Sequence, residues 1–139
     1  MISRVLVPMD DSEMAERALR YALRAHPDAE ITVLHVVGEP SSMMGRASGI
    51  ALADDPQAAA REHASDLLDR AREIAAESDN EIKTVVKVGH PARAVINMTE
   101  EFDAVVIGSH GGSLADRLLV GNIAEKIVRR SAAPVTVVR

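Results

Sequence analysis

Residues 2–8 read Ile-Ser-Arg-Val-Leu-Val-Pro, and residues 30–37 read Glu-Ile-Thr-Val-Leu-His-Val-Val. The first run is short and rich in β-branched residues, which is typical of a strand that is buried on both faces, and the second run predicts another strand. Apolar residues between them recur at the spacing of an amphipathic helix, at Ala15, Ala18, Leu19, Ala22 and Leu23. A strand, a helix and a strand in this order predict two parallel strands joined by a right-handed crossover.

The same alternation continues along the rest of the chain. The patterns predict helices over residues 57–78, 91–101 and 122–131, and strands over residues 81–88, 103–108 and 134–138. Residues 38–56 have no clear period and predict a long loop, either a functional segment or a surface excursion. We therefore expect one α/β domain over residues 1–139, with a Rossmann-like parallel sheet covered by helices on both faces.

Composition excludes several classes of function. The 139 residues contain no Cys, no Trp, one Tyr and one Phe, so the core must be aliphatic and a disulfide scaffold is excluded. Stacking platforms for single-stranded nucleic acid are almost absent, and a net charge of −5 disfavours binding to phosphate backbones. The chain shows no signal peptide and no apolar run of the ~20 residues that a membrane helix needs, so we expect a cytoplasmic protein without membrane insertion.

Two adjacent carboxylates follow the first predicted strand, at Asp10 and Asp11. In open α/β sheets, ligands bind at the carboxyl ends of the strands, near the point where strand order reverses. Carboxylates at this place can hold Mg²⁺ or accept hydrogen bonds from a ribose. The alternative is that Asp11, or Ser12 after it, only caps the following helix.

A glycine-rich connection follows the fourth predicted strand. It reads Gly-Ser-His-Gly-Gly-Ser over residues 108–113, and Gly121-Asn122 then stands at the start of a predicted helix. Glycine lets a backbone approach a ligand closely, and a helix N-terminus suits a phosphate, with Asn122 as a good N-cap. The alternative is a flexible turn with ordinary capping. The P-loop pattern is absent, and His110 is the histidine that merits a test, whereas His35 is predicted to be a hydrogen-bonded histidine inside or just below the surface.

The glycine spacing, Gly108-x-x-Gly111, nine residues and then Gly121, resembles the nucleotide-binding motif of the universal stress protein family. Four further segments agree with the family in order and spacing, namely residues 5–13, 34–37, 89–92 and 128–138. The resemblance implies a five-stranded sheet in the order 3-2-1-4-5, a homodimer through the last strand (residues 134–138), and ATP held between strands one and four.

The resemblance also implies roles for individual residues. Asp10 would meet the ribose or Mg²⁺ bound with ATP, and Pro8, Met9 and Val36 would flank adenine. Ribose and phosphates would lie against a further set of residues: Ile107, Gly108, His110, Gly111, Gly121, Asn122 and Ile123. The family has Ser or Thr where this chain has Asn122, and one lost neutral hydrogen bond would cost ~0.5–1.5 kcal/mol, roughly tenfold in affinity.

Three functions remain in competition. The first is a dimeric ATP-binding regulatory or stress-response protein that acts on an unknown protein partner. The second is an interaction module without a nucleotide, with residues 38–56 as its contact. The third is a slow ATPase or an autophosphorylating protein that uses Ser109, His110 or Ser113. Because no general base or positioned nucleophile is visible, we expect at most weak hydrolysis.

Overall fold

The computed structural model describes residues 1–38, 56–110 and 122–139. Most of the predicted long loop, residues 39–55, lies outside the described residues. So does the segment 111–121, which contains Gly111, Ser113 and Gly121.

Five strands form one parallel sheet in the order β3-β2-β1-β4-β5, as expected. They are β1 (Arg4–Pro8), β2 (Glu30–Val37), β3 (Ile82–Val88), β4 (Ala104–Gly108) and β5 (Val135–Val138). The predicted start of β1 at Ile2 is wrong by two residues, and that of β4 at Asp103 by one. The reason is that the Asp103 carboxylate accepts hydrogen bonds from the amides of Ser3 and Arg4, at 2.8 and 2.9 Å.

The helices of the described ranges alternate with the strands. They are α1 (Glu13–Ala25), α2 (Pro56–Ala76), α3 (Pro91–Met98) and α4 (Asn122–Arg130). The helix predicted to reach Glu101 ends earlier and continues as a 3-10 turn, Thr99–Glu101. Thr99 is buried, and its hydroxyl donates to the Ile96 carbonyl at 2.7 Å and accepts from the Ala132 amide at 3.0 Å, which fixes this end. No described helix is long and apolar enough to cross a membrane.

The sheet separates two cores because side chains alternate between its faces. Val5 and Val7 point to the face covered by α1 and α2, whereas Leu6 points to the face covered by α3 and α4. Both cores are aliphatic as expected, except that Phe102 lies in the second one. Helices on both faces leave the strand ends as the open part of the sheet, so the loops at the carboxyl ends are where a ligand can reach the backbone.

Candidate functional site

The order of the strands reverses at β1, which has β2 on one side and β4 on the other. β1 pairs with β2 up to Pro8 and Leu34, but with β4 only at Val5 and Leu6. The two strands β1 and β4 therefore separate toward their carboxyl ends. This is the crevice in which open α/β sheets bind ligands.

The loop after β1 turns sharply into α1 and orients one carboxylate. Asp10 is exposed, and its Oδ1 accepts a hydrogen bond from the Ser12 amide at 2.9 Å. Ser12 is buried, and its hydroxyl accepts from the Ala15 amide at 3.1 Å, so the helix cap is Ser12 and not Asp11. Within the described ranges Asp10 Oδ2 makes no hydrogen bond. The loop thus holds Asp10 in place and leaves one carboxylate oxygen available.

Beside the end of β1, Met9 contacts Leu34 and His35 of β2. Met9 is buried, its amide donates to the Leu34 carbonyl at 2.8 Å, and its own carbonyl accepts from His35 Nδ1 at 2.8 Å. This confirms the prediction of a hydrogen-bonded His35 below the surface. Pro8 and Val36 are half-buried near the ends of their strands. Pro8 and Val36, two of the predicted adenine neighbours, therefore lie on adjacent strands at the same end of the sheet, and the third, Met9, directly follows β1.

The carboxyl end of β4 is tighter than the sequence indicates. Ile107 is buried in the second core, and a Cβ added at Gly108 would lie 3.0 Å from the Met14 carbonyl oxygen in the first turn of α1. The packing of α1 therefore already favours a residue without a side chain at Gly108, apart from any approach of a ligand. Ser109 is buried, and its hydroxyl lies 3.0 Å from Nδ1 of the half-buried His110.

The amino end of α4 supplies the remaining described residues of the predicted site. Asn122 is the first residue of the helix, so the predicted N-cap is off by one. Asn122 and Ile123 are both exposed. Ala124 and Ile107 belong to the same core cluster, so the first turn of α4 and strand β4 contribute to one core. The free amides of this turn and its dipole favour an anion.

Two residues of this region were not predicted to matter for the site. His35 was treated as structural, although it precedes Val36 and contacts Met9. Its position one residue before a predicted adenine neighbour is the signal that points to it. Met14 gave no signal, because its contact with Gly108 depends on how α1 crosses the sheet.

The model of the family described as "Universal stress protein family" matches residues 1–139. The chain is 29% identical over 148 residues to the universal stress protein YxiE of Bacillus subtilis strain 168, which covers 100% of both chains. The solved structure of the universal stress protein UspA from Lactobacillus plantarum is 27% identical, has a TM-score of 0.79, and covers 99% of this chain and 98% of its own. A universal stress protein solved in complex with cAMP is 26% identical, has a TM-score of 0.71, and covers 99% and 97%. The chain therefore belongs to the universal stress protein family.

Proposed function

We propose that this protein binds ATP between the carboxyl ends of β1 and β4, and acts as a dimeric regulator of a protein partner rather than as a fast catalyst. The observation that carries the proposal is that Asp10 and Val36 both lie at the strand reversal. Within the described ranges, Asp10 Oδ2 and the N–H and C=O of Val36 have no hydrogen-bond partner. The cAMP complex of a relative supports it, since cAMP and ATP share adenine and ribose.

The chemistry of these groups suits an adenine nucleotide. A peptide N–H and C=O together can pair with adenine N1 and its amino group, and Val36 offers both. Asp10 Oδ2 can accept from the ribose hydroxyls or provide one ligand to Mg²⁺, which prefers carboxylates together with phosphates and water. Pro8 and Met9 give aliphatic walls in place of aromatic ones. The first turn of α4, with the Asn122 amide, is the part of the described chain that suits phosphates.

The direct test is nucleotide extraction from natively purified protein, followed by thermal unfolding with Mg-ATP, ADP, AMP and cAMP. At a ligand concentration one hundred times Kd, binding stabilises the folded state by ~2.7 kcal/mol, so the unfolding midpoint rises. No shift with any of these nucleotides at millimolar concentration would refute nucleotide binding. The interaction module without a nucleotide would then be the remaining reading.

The proposed dimer uses the edge of β5 over residues 134–138. The Val105 and Ser109 amides donate to the carbonyls of Pro134 and Val138, so the odd-numbered residues of β5 turn their peptide groups outward. An exposed edge of this kind promotes association, and pairing with a second copy removes the exposure. Val137→Pro deletes an outward N–H and should give a monomer in light scattering at micromolar concentration. Val137→Ala is the matched control, which loses side-chain packing but keeps the N–H and should stay dimeric.

A second candidate function is transfer of the ATP γ-phosphoryl group to Ser109, favoured by its 3.0 Å contact with His110 Nδ1. In this reaction Ser109 Oγ bonds to phosphorus, the hydroxyl proton passes to His110 and ADP leaves. Phosphate found on Ser109 by mass spectrometry and lost in His110→Ala would support it. Unmodified Ser109 after incubation with Mg-ATP would exclude it. A cytoplasmic location is proposed for either function.

A further inference from the structure

The ladder of hydrogen bonds between β1 and β2 is interrupted at Met9. In a regular parallel ladder, a residue that donates its N–H to one residue of the neighbouring strand accepts, on its carbonyl, the amide two residues further along. Met9 donates to the Leu34 carbonyl at 2.8 Å, so regular pairing would bring the Val36 amide onto the Met9 carbonyl. That carbonyl instead accepts from His35 Nδ1 at 2.8 Å.

The peptide groups of Val36 point toward the crevice. On the other side of β2, the Val37 carbonyl accepts from the Gly89 amide at 2.9 Å, so the odd-numbered residues here face β3. Val36 therefore faces the β1 side, beyond the last residue of that strand. Neither its N–H nor its C=O has a hydrogen-bond partner within the described ranges. Backbone groups of a sheet are normally paired, so an open pair at the strand reversal calls for a partner from outside the described residues.

We propose that His35 is a positioning residue that keeps the Val36 amide available to a ligand. It does so by donating a hydrogen bond to the Met9 carbonyl, which in a regular ladder would accept from the Val36 amide. Because a carbonyl only accepts, Nδ1 of His35 must carry the proton. That the ligand is an adenine base rests on the proposed function, whereas the competition for the Met9 carbonyl does not.

Hydrogen exchange on the ligand-free protein tests the competition by itself. In the wild type the Val36 amide should exchange without protection. In His35→Leu the Val36 amide should donate to the Met9 carbonyl, so hydrogen exchange at Val36 should slow by an order of magnitude or more. His35→Asn is the matched variant, because its side-chain amide nitrogen stands where Nδ1 stands and should leave Val36 unprotected. A protected Val36 amide in the wild type, or an unprotected one in His35→Leu, would overturn the proposal.

Calorimetric titration with ATP and with inosine triphosphate tests the consequence for binding. His35→Leu should bind ATP about tenfold more weakly than the wild type, which corresponds to the loss of one hydrogen bond, whereas His35→Asn should bind ATP as tightly as the wild type. Inosine presents an N1–H and a carbonyl in place of the adenine acceptor and amino group. The preference for ATP over inosine triphosphate should therefore fall in His35→Leu, which a general loss of stability would not produce.

The two proposals fail separately. If the wild type binds no nucleotide, the proposed function is lost while the exchange result still decides the role of His35. If the wild type binds ATP and His35→Leu binds it equally well with the same preference, the role of His35 is refuted and the proposed function stands. Thermal unfolding of the ligand-free variants confirms that affinities are compared between folded proteins.

Discussion

Asp10 and Asp103 lie at opposite ends of the neighbouring strands β1 and β4, and their carboxylates are used differently. Asp103 Oδ2 accepts from the Ser3 amide at 2.8 Å and from the Arg4 amide at 2.9 Å. These two hydrogen bonds, with that from Ser3 first, hold the pKa of Asp103 below its ordinary value. Asp10 accepts from a single amide, that of Ser12, through Oδ1.

An aspartate at the amino end of the sheet joins two strands, whereas an aspartate at the carboxyl end keeps an oxygen that a ligand can reach. At the amino end, two amides use one oxygen of Asp103, and the amide of Asp103 donates to the Arg4 carbonyl at 2.9 Å, so the entry of β4 is tied to that of β1. At the carboxyl end, one amide orients Asp10 and leaves Oδ2 free among the described residues. Each aspartate keeps one carboxylate oxygen without a hydrogen bond among the described residues, so the end of the sheet at which it lies, and not a free oxygen alone, makes Asp10 the candidate ligand.

Gly108→Ala should have the largest effect and is the strongest test of this comparison, because Gly108 lies at the carboxyl end of the sheet, as Asp10 does, yet packs against α1. The added Cβ would lie 3.0 Å from the carbonyl oxygen of Met14, and backbone at that place cannot move aside cheaply. We expect a loss of about 1–3 kcal/mol in the free energy of unfolding, measured by urea denaturation.

A double-mutant cycle with Met14→Ala tests whether the outer part of the Met14 side chain contributes to the clash. The three atoms nearest to the added Cβ are the carbonyl oxygen, the carbonyl carbon and Cβ of Met14, and alanine keeps all three, so Gly108→Ala should cost a similar amount in either background. Full relief in the Met14→Ala background would place the clash on side-chain atoms beyond Cβ instead. An unchanged stability of Gly108→Ala alone would return Gly108 to a role in ligand approach only.

The architecture was predictable because it depends on periodicities that a sequence displays directly. Runs of β-branched residues and a helical stripe repeat along the chain, and a parallel sheet with helices on both faces follows from them. The strand order itself came from the family resemblance. The exact element ends did not follow, because contacts such as that of Asp103 with Ser3 and Arg4 join residues about a hundred positions apart.

The candidate site was predictable in part. Asp10 was singled out as a candidate because it lies two residues after a predicted strand, and Ser12 was a plausible cap because capping residues are recognisable from their type. The contacts of Gly108 and His35 could not be derived, since each depends on which neighbour lies beside a strand end: the backbone of Met14 for Gly108 and the carbonyl of Met9 for His35.

Asp10→Asn tests the comparison at the carboxyl end of the sheet. The asparagine oxygen can still accept from Ser12, so the turn and the unfolding midpoint of the free protein should change little. The charge that we propose faces the ribose or Mg²⁺ is lost, and a hydrogen bond to a charged group is worth about 1.5 kcal/mol or more, so ATP affinity should fall about tenfold. Calorimetry measures it, with Asp11→Asn as the matched control, which should bind as the wild type does. Equal affinity for Asp10→Asn and the control would remove Asp10 from the site.

Asp103→Asn should have the smallest effect, because an exposed carboxylate is screened by solvent. The variant should melt slightly below the wild type at pH 7 and bind ATP equally well. Since the pKa of Asp103 is lower in the folded protein than in the unfolded chain, its charge stabilises the fold fully above the unfolded pKa of about 3.9. That contribution is lost as pH falls through the lower, folded pKa, where the protonated aspartate becomes as neutral as the asparagine. The gap between the two melting temperatures should therefore be constant near neutral pH and close in acid, and a gap that widens in acid would contradict the role of Asp103 as a charged acceptor for Ser3 and Arg4.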